Sequence, residues 1–316
     1  MAMAATGERT TVSVDGYGPS GRSAWLDVDW RRHQRWVRVE GRWLNVVDLA
    51  PDGTPAGTVV FVHGLSGCWQ NWLENLPFFA GTHRCIAMDL PGFGASEMPA
   101  EPISISGYAR IVDALLHQLG VDRAAVVGNS MGGFIGAEVA IAHSTRVERL
   151  VLVSAAGLST GDGRSARLVP IVRATRAVGA WSAWLATRSE ALVRRPRARR
   201  AIFQIVAPHG ERLPGPLVAE QLRGSGKPGF VDAFAAIVGY PLRDRLQRIA
   251  APTLVVWGED DPLVPVRDAW TFGDLIPDAR VVVYEDTGHV AMLERPAAFN
   301  ALVAEFFAAE REQQVA

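Results

Sequence analysis

The sequence predicts an α/β protein with a doubly wound, mostly parallel sheet and an inserted helical cap. Short apolar runs rich in β-branched residues alternate with longer segments of helical period, which is typical of parallel sheets. This alternation stops over residues 158–240, where no strand-like run occurs. The chain has 316 residues, of which 48% are hydrophobic and 21% charged. That length and composition fit a folded, soluble α/β unit large enough to carry an insertion.

Six apolar runs are predicted to be buried strands, and the segments between them to be helices. The clearest helix places six apolar residues on one stripe that can cover a sheet face. Alternating residues on either side of Gly41, at 35–40 and 42–48, predict an antiparallel hairpin at the sheet edge. The strands are expected at 58–62, 84–88, 124–127, 150–153, 253–257 and 281–284, and the helical stripe consists of Tyr108, Ile111, Val112, Leu115, Leu116 and Leu119.

We expect four segments along the chain. An N-terminal extension, loosely ordered before about Trp30, covers residues 1–34, and the core is formed by 35–157 and 241–316. The cap, 158–240, contains 13 basic and five acidic residues, a local charge of +8 that leaves −9 for the rest of the chain. Such a charge could steer an anionic substrate, but a solvated arginine face explains it more simply, and we favour that interpretation.

Global charge and composition exclude several classes of protein. With 32 basic and 33 acidic residues the net charge is −1, so we expect no binding to nucleic acid or to an anionic membrane. No stretch reaches the roughly 18 apolar residues of a membrane span, and residues 1–9 do not resemble a signal peptide. Cys68 and Cys85 have no metal-ligand spacing, and we expect both to be buried in the protein. Two cysteines cannot form a disulfide framework, which favours a reducing compartment. We therefore expect a cytoplasmic protein.

The strongest functional motif lies at residues 128–132, which read Gly-Asn-Ser-Met-Gly. It follows the strand at 124–127 and precedes a helical run, which is the context required for a G-x-S-x-G nucleophile elbow. A tight, strained turn would lift Ser130 clear of the sheet edge, where a base can activate its hydroxyl. We therefore predict that Ser130 is a nucleophile.

The loop at 63–67, His-Gly-Leu-Ser-Gly, directly follows the strand at 58–62. Its backbone can offer an N–H group to the oxyanion of a tetrahedral intermediate, with the N–H of Met131 as the second donor. We assign the first donor to Leu65, with Ser66 as a weaker alternative. His63 is expected to support this loop through hydrogen bonds without titrating in the mechanism.

Two later loops supply a candidate acid and base. Three acids, Glu259, Asp260 and Asp261, follow the strand at 253–257 and precede a Pro-Leu-Val-Pro turn. An acid there can orient a histidine, and Asp261 is our assignment. His289 follows the strand at 281–284, so the order serine, acid, histidine matches the nucleophile-elbow hydrolases. Asp162 remains an alternative acid, and no pair of histidines has metal-ligand spacing, so we predict neither a metal nor a cofactor.

From about Arg35 to the C-terminus, the sequence resembles the α/β-hydrolase superfamily. The motifs that match are His63-Gly64, the run Asp-Leu-Pro-Gly-Phe-Gly-Ala-Ser at 89–96, the elbow, residues 258–265 and Gly288-His289. The resemblance implies a serine hydrolase core. The segment 158–240 is where the family's cap varies most and determines the substrate.

The resemblance leaves several functions open. A serine at position 130 argues against dehalogenase and epoxide hydrolase chemistry, for which the superfamily carries aspartate. We place first an esterase that forms an acyl-enzyme on Ser130 with a small or medium apolar ester. The alternative is a carbon–carbon hydrolase of meta-cleavage type, acting on vinylogous diketo acids, whose elbow is similar and whose carboxylate an arginine-rich cap could pair. Against that alternative, the first loop lacks a dense glycine run, and Val290 follows His289 where those enzymes often have tryptophan.

Other serine chemistry, such as perhydrolysis or acyl transfer, and a non-enzymatic binding module rank lower. A binder usually lacks a triad member, and none is missing here. Candidate substrate contacts are Ser66, Trp181 and Trp184. The two tryptophans are three residues apart, so on a helix they share a face that could line an apolar pocket or pack the cap onto the core.

Overall fold

The computed structural model of the protein describes residues 8–159 and 193–309. The described residues include nine strands that form one sheet. The strands are β1 (Arg9–Val12), β2 (Gln34–Val39), β3 (Arg42–Leu49), β4 (Thr58–Val62), β5 (Arg84–Met88), β6 (Ala124–Asn129), β7 (Val147–Val153), β8 (Thr253–Gly258) and β9 (Ala279–Tyr284).

The strand order across the sheet is β1-β9-β8-β7-β6-β4-β5-β3-β2. The β2–β3 and β3–β5 pairs are antiparallel, and the other pairs are parallel. The carboxyl ends of the parallel strands therefore lie at one edge of the sheet, where ligands bind in open α/β sheets. The predicted fold class, a mostly parallel doubly wound sheet, is confirmed.

Helices cover both faces of the sheet. The longest of the described helices, α2, begins after Ser104, whose side chain accepts a hydrogen bond of 3.0 Å from the Gly107 N–H. It ends just before Gly120, which has a φ of +66°. The helices of the described residues are α1 (Leu76–Phe79), α2 (Ile105–Gln118), α3 (Met131–Ala142), α4 (Pro196–Phe203), α5 (Gly215–Leu222), α6 (Phe230–Ile237), α7 (Arg267–Leu275), α8 (Ala291–Glu294) and α9 (Pro296–Ala308).

Two apolar clusters fill the space between sheet and helices. Alternate residues of a strand point to opposite faces. In β4, Val60 and Val62 join the cluster under α2 and α3, whereas Val59 and Phe61 join the cluster on the other face. This double burial explains why the central strands are apolar at nearly every position.

All six predicted core strands and the predicted hairpin are present. Strands β4 and β5 have the predicted limits, while β6 extends to Asn129, β7 begins at Val147 and β9 begins at Ala279. The predicted stripe lies on α2, with Leu119 as its C-cap. Cys68 and Cys85 are buried and free.

The N-terminal segment differs from the loosely ordered extension that we expected. Strand β1 pairs in parallel with β9 at the sheet edge, and Trp25 packs into the second cluster. Strand β1 could not be predicted from the sequence, because its four residues, Arg-Thr-Thr-Val, are mostly exposed and lack an apolar run.

The predicted cap falls partly outside the described residues. Its described part, 193–240, contains the helices α4, α5 and α6 and no strand. The limits 158 and 240 stay a prediction. Over residues 8–159 and 193–309, every helix is too short or too polar to cross a bilayer.

Candidate active site

Four of the predicted site residues lie just beyond strand ends at the same edge of the sheet. Ser130 follows β6, Asp261 comes after β8, His289 after β9 and Leu65 after β4. Since β4, β6, β8 and β9 belong to the parallel part of the sheet, their loops converge at its carboxyl edge. The alternation of strand and helix thus brings together residues that are far apart in sequence.

Ser130 occupies a strained backbone conformation between β6 and α3. Its φ is 56° and its ψ −117°, a region that side chains with a Cβ rarely adopt. The neighbouring glycines are required by close packing. A Cβ at Gly128 would lie 2.2 Å from the Gly132 carbonyl oxygen, and a Cβ at Gly132 would lie 2.1 Å from the Val62 carbonyl oxygen. The turn is therefore tight enough to present the Ser130 side chain at the sheet edge.

Hydrogen bonds hold this turn in place. The Ser130 N–H donates to the Val153 carbonyl oxygen at 2.9 Å, and the Ala156 N–H donates to the Ser130 carbonyl oxygen at 3.0 Å. The side-chain amide of Asn129 donates to the carbonyl oxygens of Val153 and His289, each at 3.1 Å. Asn129 therefore joins the serine turn to the histidine loop, a role that the sequence analysis did not assign to it.

Asp261 and His289 form a buried pair. The Nδ1 atom of His289 lies 2.7 Å from Oδ2 of Asp261, and their side chains are 5% and 0% exposed. The other carboxylate oxygen, Oδ1, accepts hydrogen bonds of 2.9 Å from the N–H groups of Leu263 and Val264. The carboxylate is therefore fixed by its own turn while it faces the imidazole.

The competing acids of the same loop point elsewhere. Glu259 and Asp260 are exposed, as expected for solvated charges of a loop. The alternative acid considered above, Asp162, lies outside the described residues. Among the described acids, Asp261 is the one in contact with His289.

His63 supports the loop after β4. Its Nε2 accepts a hydrogen bond of 2.9 Å from the Leu90 N–H, so Nδ1 carries the proton and donates to the Gly64 carbonyl oxygen at 2.7 Å. Burial lowers the pKa of His63 and keeps the ring neutral. Ser66, two residues further along the chain, has a φ of 61°. The loop is therefore held in one conformation beside Ser130, and a Cβ at Gly64 would lie 3.1 Å from the Ser130 Cβ.

The two predicted oxyanion donors are available for a ligand. Neither the Leu65 N–H nor the Met131 N–H donates to an acceptor within the described part of the chain. Met131 is the first residue of α3, where backbone N–H groups have no partner inside the helix. The positive end of the helix dipole would also stabilise a negative charge at this position.

A cavity of about 520 Å³ opens onto Ser130 and His289. This volume lies within the usual range of small-molecule sites. Its described walls are mostly apolar and come from the strand-end loops and from the segment between α4 and α6. The apolar wall residues include Ile202, Phe203, Ile205, Val206, Leu222, Phe230, Phe234, Ile237, Leu263 and Val264.

A few polar side chains also face this cavity. The Asn71 amide donates to Oε1 of Gln221 at 2.6 Å, and the Gln221 amide donates to the Gln70 carbonyl oxygen at 2.8 Å. Ser66, predicted as a substrate contact, lines the cavity as well. Asn71 and Gln221 were missed by the sequence analysis, because they meet only through a contact across 150 residues of chain.

Two sequence predictions about the cap have different outcomes. Trp181 and Trp184 lie outside the described residues, and their pocket role stays a prediction. Arg194, Arg195, Arg197 and Arg200 are exposed, in agreement with a solvated arginine face over this stretch. Within residues 8–159 and 193–309, no group of three or more His, Cys, Asp and Glu side chains is arranged to hold a metal ion.

Comparisons with known proteins agree with this architecture. Residues 57–296 match the family model described as the alpha/beta hydrolase fold. A 2-hydroxymuconate semialdehyde hydrolase from Pseudomonas sp. (strain CF600) is 31% identical over 269 residues, which are 79% of this chain and 86% of that protein. A 2-hydroxy-6-oxo-2,4-heptadienoate hydrolase from Pseudomonas putida is 29% identical and matches 87% of this chain and 96% of that protein.

A solved structure described as Est816, an N-acyl homoserine lactone degrading enzyme, has a TM-score of 0.65 and 29% identity. It covers 86% of this chain and 100% of the other. The family model spans more than half of the chain, and the sheet order, the strained serine turn and the strand-end loops all agree with it. The chain belongs to the α/β-hydrolase fold family and is a hydrolase of that fold.

Proposed function

We propose that this hydrolase uses Ser130 as nucleophile, His289 as general base and Asp261 as the acid that orients His289. The observation that carries the proposal is the buried Asp261–His289 pair, 2.7 Å apart, whose histidine lines the same cavity as the strained Ser130. A carboxylate on Nδ1 selects the tautomer in which Nε2 is free to accept a proton. The pair also stabilises the imidazolium that forms when the serine loses its proton.

The reaction then proceeds in two halves. The Ser130 hydroxyl gives its proton to Nε2 of His289 while its oxygen bonds to the substrate's carbonyl carbon. The tetrahedral intermediate collapses, the bond to the leaving group breaks, and the leaving group takes the proton from His289. Water next gives a proton to His289 and attacks the acyl-enzyme; the second tetrahedral intermediate releases the carboxylic acid, and His289 returns the proton to the Ser130 oxygen.

The N–H groups of Leu65 and Met131 are the proposed oxyanion donors. Their lack of acceptors among the described residues supports this role, as does the start of α3 at Met131. Each donor fixed in advance lowers the barrier because it needs no reorganisation when charge develops on the carbonyl oxygen.

Our first candidate function is hydrolysis of a carbon–carbon bond. It takes the place of ester hydrolysis, which the sequence alone had favoured. Two Pseudomonas relatives that match most of this chain are named as hydrolases of 2-hydroxymuconate semialdehyde and 2-hydroxy-6-oxo-2,4-heptadienoate. The 2-hydroxydienoate first shifts its enol proton to the carbon beside the bond that breaks, which gives the 2,6-dioxo form. When that bond breaks, its electron pair spreads through the adjacent double bond to the 2-oxo group, and the resulting dienolate takes the proton from His289. This delocalisation makes a carbon leaving group possible for the same three residues.

Ester hydrolysis is the second candidate, and neutral polar groups in the described part of the cavity wall suit it. The described residues that line the cavity include no lysine or arginine. Asn71, Gln221 and Ser66 provide neutral polar groups, which suit an ester or a lactone. The similarity to an enzyme described as degrading N-acyl homoserine lactones supports the same candidate.

A substrate panel separates the two candidates. The purified protein is assayed with p-nitrophenyl esters of graded chain length and with one meta-cleavage dienoate, and Ser130→Ala serves as the blank. Turnover of the dienoate with a kcat/KM at least 100-fold above that of the best ester supports carbon–carbon hydrolysis, and the reverse ratio supports an esterase. If the Ser130→Ala variant turns over the preferred substrate at the parental rate, the proposal is wrong for both candidates.

A further inference from the structure

The loop that carries His289 is held from behind by the carboxylate of Glu294. Glu294 is 0% exposed. Its Oε2 accepts a hydrogen bond of 2.8 Å from the Gly288 N–H, and its Oε1 accepts one of 3.0 Å from the Val290 N–H. These two N–H groups flank His289. One side chain thus fixes the backbone on both sides of the residue that we propose as general base.

The N-terminal segment completes this arrangement. The Tyr17 hydroxyl donates to Oε2 of Glu294 at 2.6 Å, and the Gly18 N–H donates to the Glu294 carbonyl oxygen, also at 2.6 Å. The Arg295 guanidinium lies 4.9 Å from the centre of the Tyr17 ring and donates to the Gly16 carbonyl oxygen. Strand β1, paired with β9, holds the segment that leads to Tyr17 against the strand that leads to His289.

The segment after α4 also reaches this point. The His289 N–H donates to the Val206 carbonyl oxygen at 2.7 Å. Nearby, the His209 N–H donates to the Tyr17 hydroxyl at 3.3 Å, and the two rings meet edge to face with 5.4 Å between centres. Three segments of the chain therefore meet around His289.

Glu294 is an ionisable group close to His289. Burial raises the pKa of Glu294 to about 7, and its hydrogen bonds from Tyr17, Gly288 and Val290 oppose that rise. The titratable groups that interact with the carboxylate are Tyr17 from the N-terminal segment and His289 from the loop, and the adjacent Arg295 interacts with Tyr17. Glu294 therefore changes its ionisation within the pH range in which a histidine can act as a base.

We infer that Glu294 is a positioning residue for His289 and that Tyr17 is the contribution of the N-terminal segment to the same task. This inference rests on the proposed function, in which His289 is the general base. A base displaced by about 1 Å can lose on the order of 100-fold in rate. Glu294 does not touch the substrate, and it acts only through the loop that it holds.

The test measures how fast a fluorophosphonate probe labels Ser130, from pH 5 to 9, in the full-length protein. Glu294→Gln keeps the shape of the side chain but replaces one acceptor oxygen by an NH₂ group. This donor then faces another donor, either a backbone N–H group or the Tyr17 hydroxyl. Tyr17→Phe removes only the hydroxyl, so it serves even if Glu294→Gln does not fold. We expect labelling to slow by about 10-fold to 100-fold in Glu294→Gln and by about 5-fold in Tyr17→Phe. Because burial raises the pKa of Glu294 to about 7, the parental rate should change as Glu294 ionises within this range, and that component of the pH profile should be absent in Glu294→Gln.

Two matched controls separate positioning from general stability. Tyr284→Phe removes a buried hydroxyl that has no hydrogen-bond partner among the described residues. Glu138→Gln removes a buried carboxylate that pairs with Arg245 at 2.7 and 2.9 Å, on α3. At a temperature where every variant is folded, both controls should label at the parental rate with the parental pH profile, even if Glu138→Gln has a lower Tm.

The outcomes distinguish this inference from the function on which it rests. Absence of labelling at Ser130 in the parent protein would remove the proposed function, and the inference with it. If the parent is labelled normally and both Glu294→Gln and Tyr17→Phe match its rate and pH profile, the inference alone is overturned. The same holds if Glu138→Gln is slowed as much as Glu294→Gln while still folded.

Discussion

The side-chain amide of Asn129 donates a hydrogen bond of 3.1 Å to the backbone carbonyl oxygen of His289, 160 residues later in the chain. The same amide binds the Val153 carbonyl oxygen at 3.1 Å, and Asn129 is only 3% exposed. The residue before the proposed nucleophile therefore fixes the backbone of the proposed base. This contact sets the relative position of the two loops independently of any bond between the side chains of Ser130 and His289.

Replacing Asn129 by alanine should weaken both folding and turnover. The change leaves a buried carbonyl oxygen of His289 without its side-chain donor, which costs about 1–3 kcal/mol of unfolding free energy. Urea unfolding measures this loss, and kcat on the preferred substrate should fall as well. Asn300→Ala is the control, since Asn300 is buried and bonded to Asn75 away from the cavity. It should lose stability with kcat preserved, and an equal fall of kcat in both variants would contradict the role given to Asn129.

The strained backbone at Ser130 should lower the stability of the folded protein. Its φ of 56° strains a residue that has a Cβ, whereas glycine adopts such values freely. We expect Ser130→Gly to be about 1 kcal/mol more stable than Ser130→Ala in urea unfolding, with both variants inactive. A less stable glycine variant would mean that the turn is not strained.

Asp261→Asn should reduce turnover far more than Asp260→Asn. Asp261 contacts Nδ1 of His289, whereas Asp260 is exposed in the same loop. The two variants therefore make the same chemical change, but only one of them removes a contact with His289. A loss on the order of 10⁴-fold in kcat is expected for the first, as in comparable triads, and little change for the second. Comparable losses in both variants would refute the assignment of the orienting acid.

Glu294 should make the folded state more stable at acid pH. Its pKa is raised from 4.5 to about 7 by burial, so between these values the folded protein binds more protons than the unfolded chain. Its contribution to the free energy of unfolding is therefore present below about pH 4.5 and is lost as the pH rises through 7, by about 3 kcal/mol.

The check is the difference in unfolding free energy between the parent and Glu294→Gln at pH 5 and at pH 8. The parent should lose stability relative to Glu294→Gln as the pH rises. A difference that is constant across this range would show that Glu294 is ionised throughout. His63 titrates with the opposite sign, because burial lowers its pKa, but it is present in both proteins and cancels.

The sequence sufficed for those features that leave a local pattern. Buried strands such as β4 and β5 are apolar at nearly every position, and their limits could be predicted to the residue. Ser130 was found because its turn requires glycines at fixed offsets. Asp261 could be preferred over Asp260 because a proline-rich turn follows it, and the structure brings it to His289.

Features that depend on long-range contacts left little pattern. The Tyr17–Glu294 hydrogen bond joins residues 277 apart, and neither residue belongs to a recognisable motif. The sequence does contain one signal for Glu294. It is a single acid at the end of the apolar run 290–293, and a carboxylate buried in such a run must have hydrogen-bond donors.

The central claim is that Ser130 is the nucleophile, and mapping the site of fluorophosphonate attachment tests it most directly. Tryptic cleavage after Arg123 and Arg146 gives a peptide, 124–146, whose hydroxyl side chains are Ser130, Ser144 and Thr145. Fragmentation mass spectrometry then assigns the adduct within this peptide. We predict one adduct per chain, on Ser130, which is absent after heat denaturation and slowed at least 100-fold in His289→Ala. An adduct on another residue, or none in the folded parent protein, would contradict the claim.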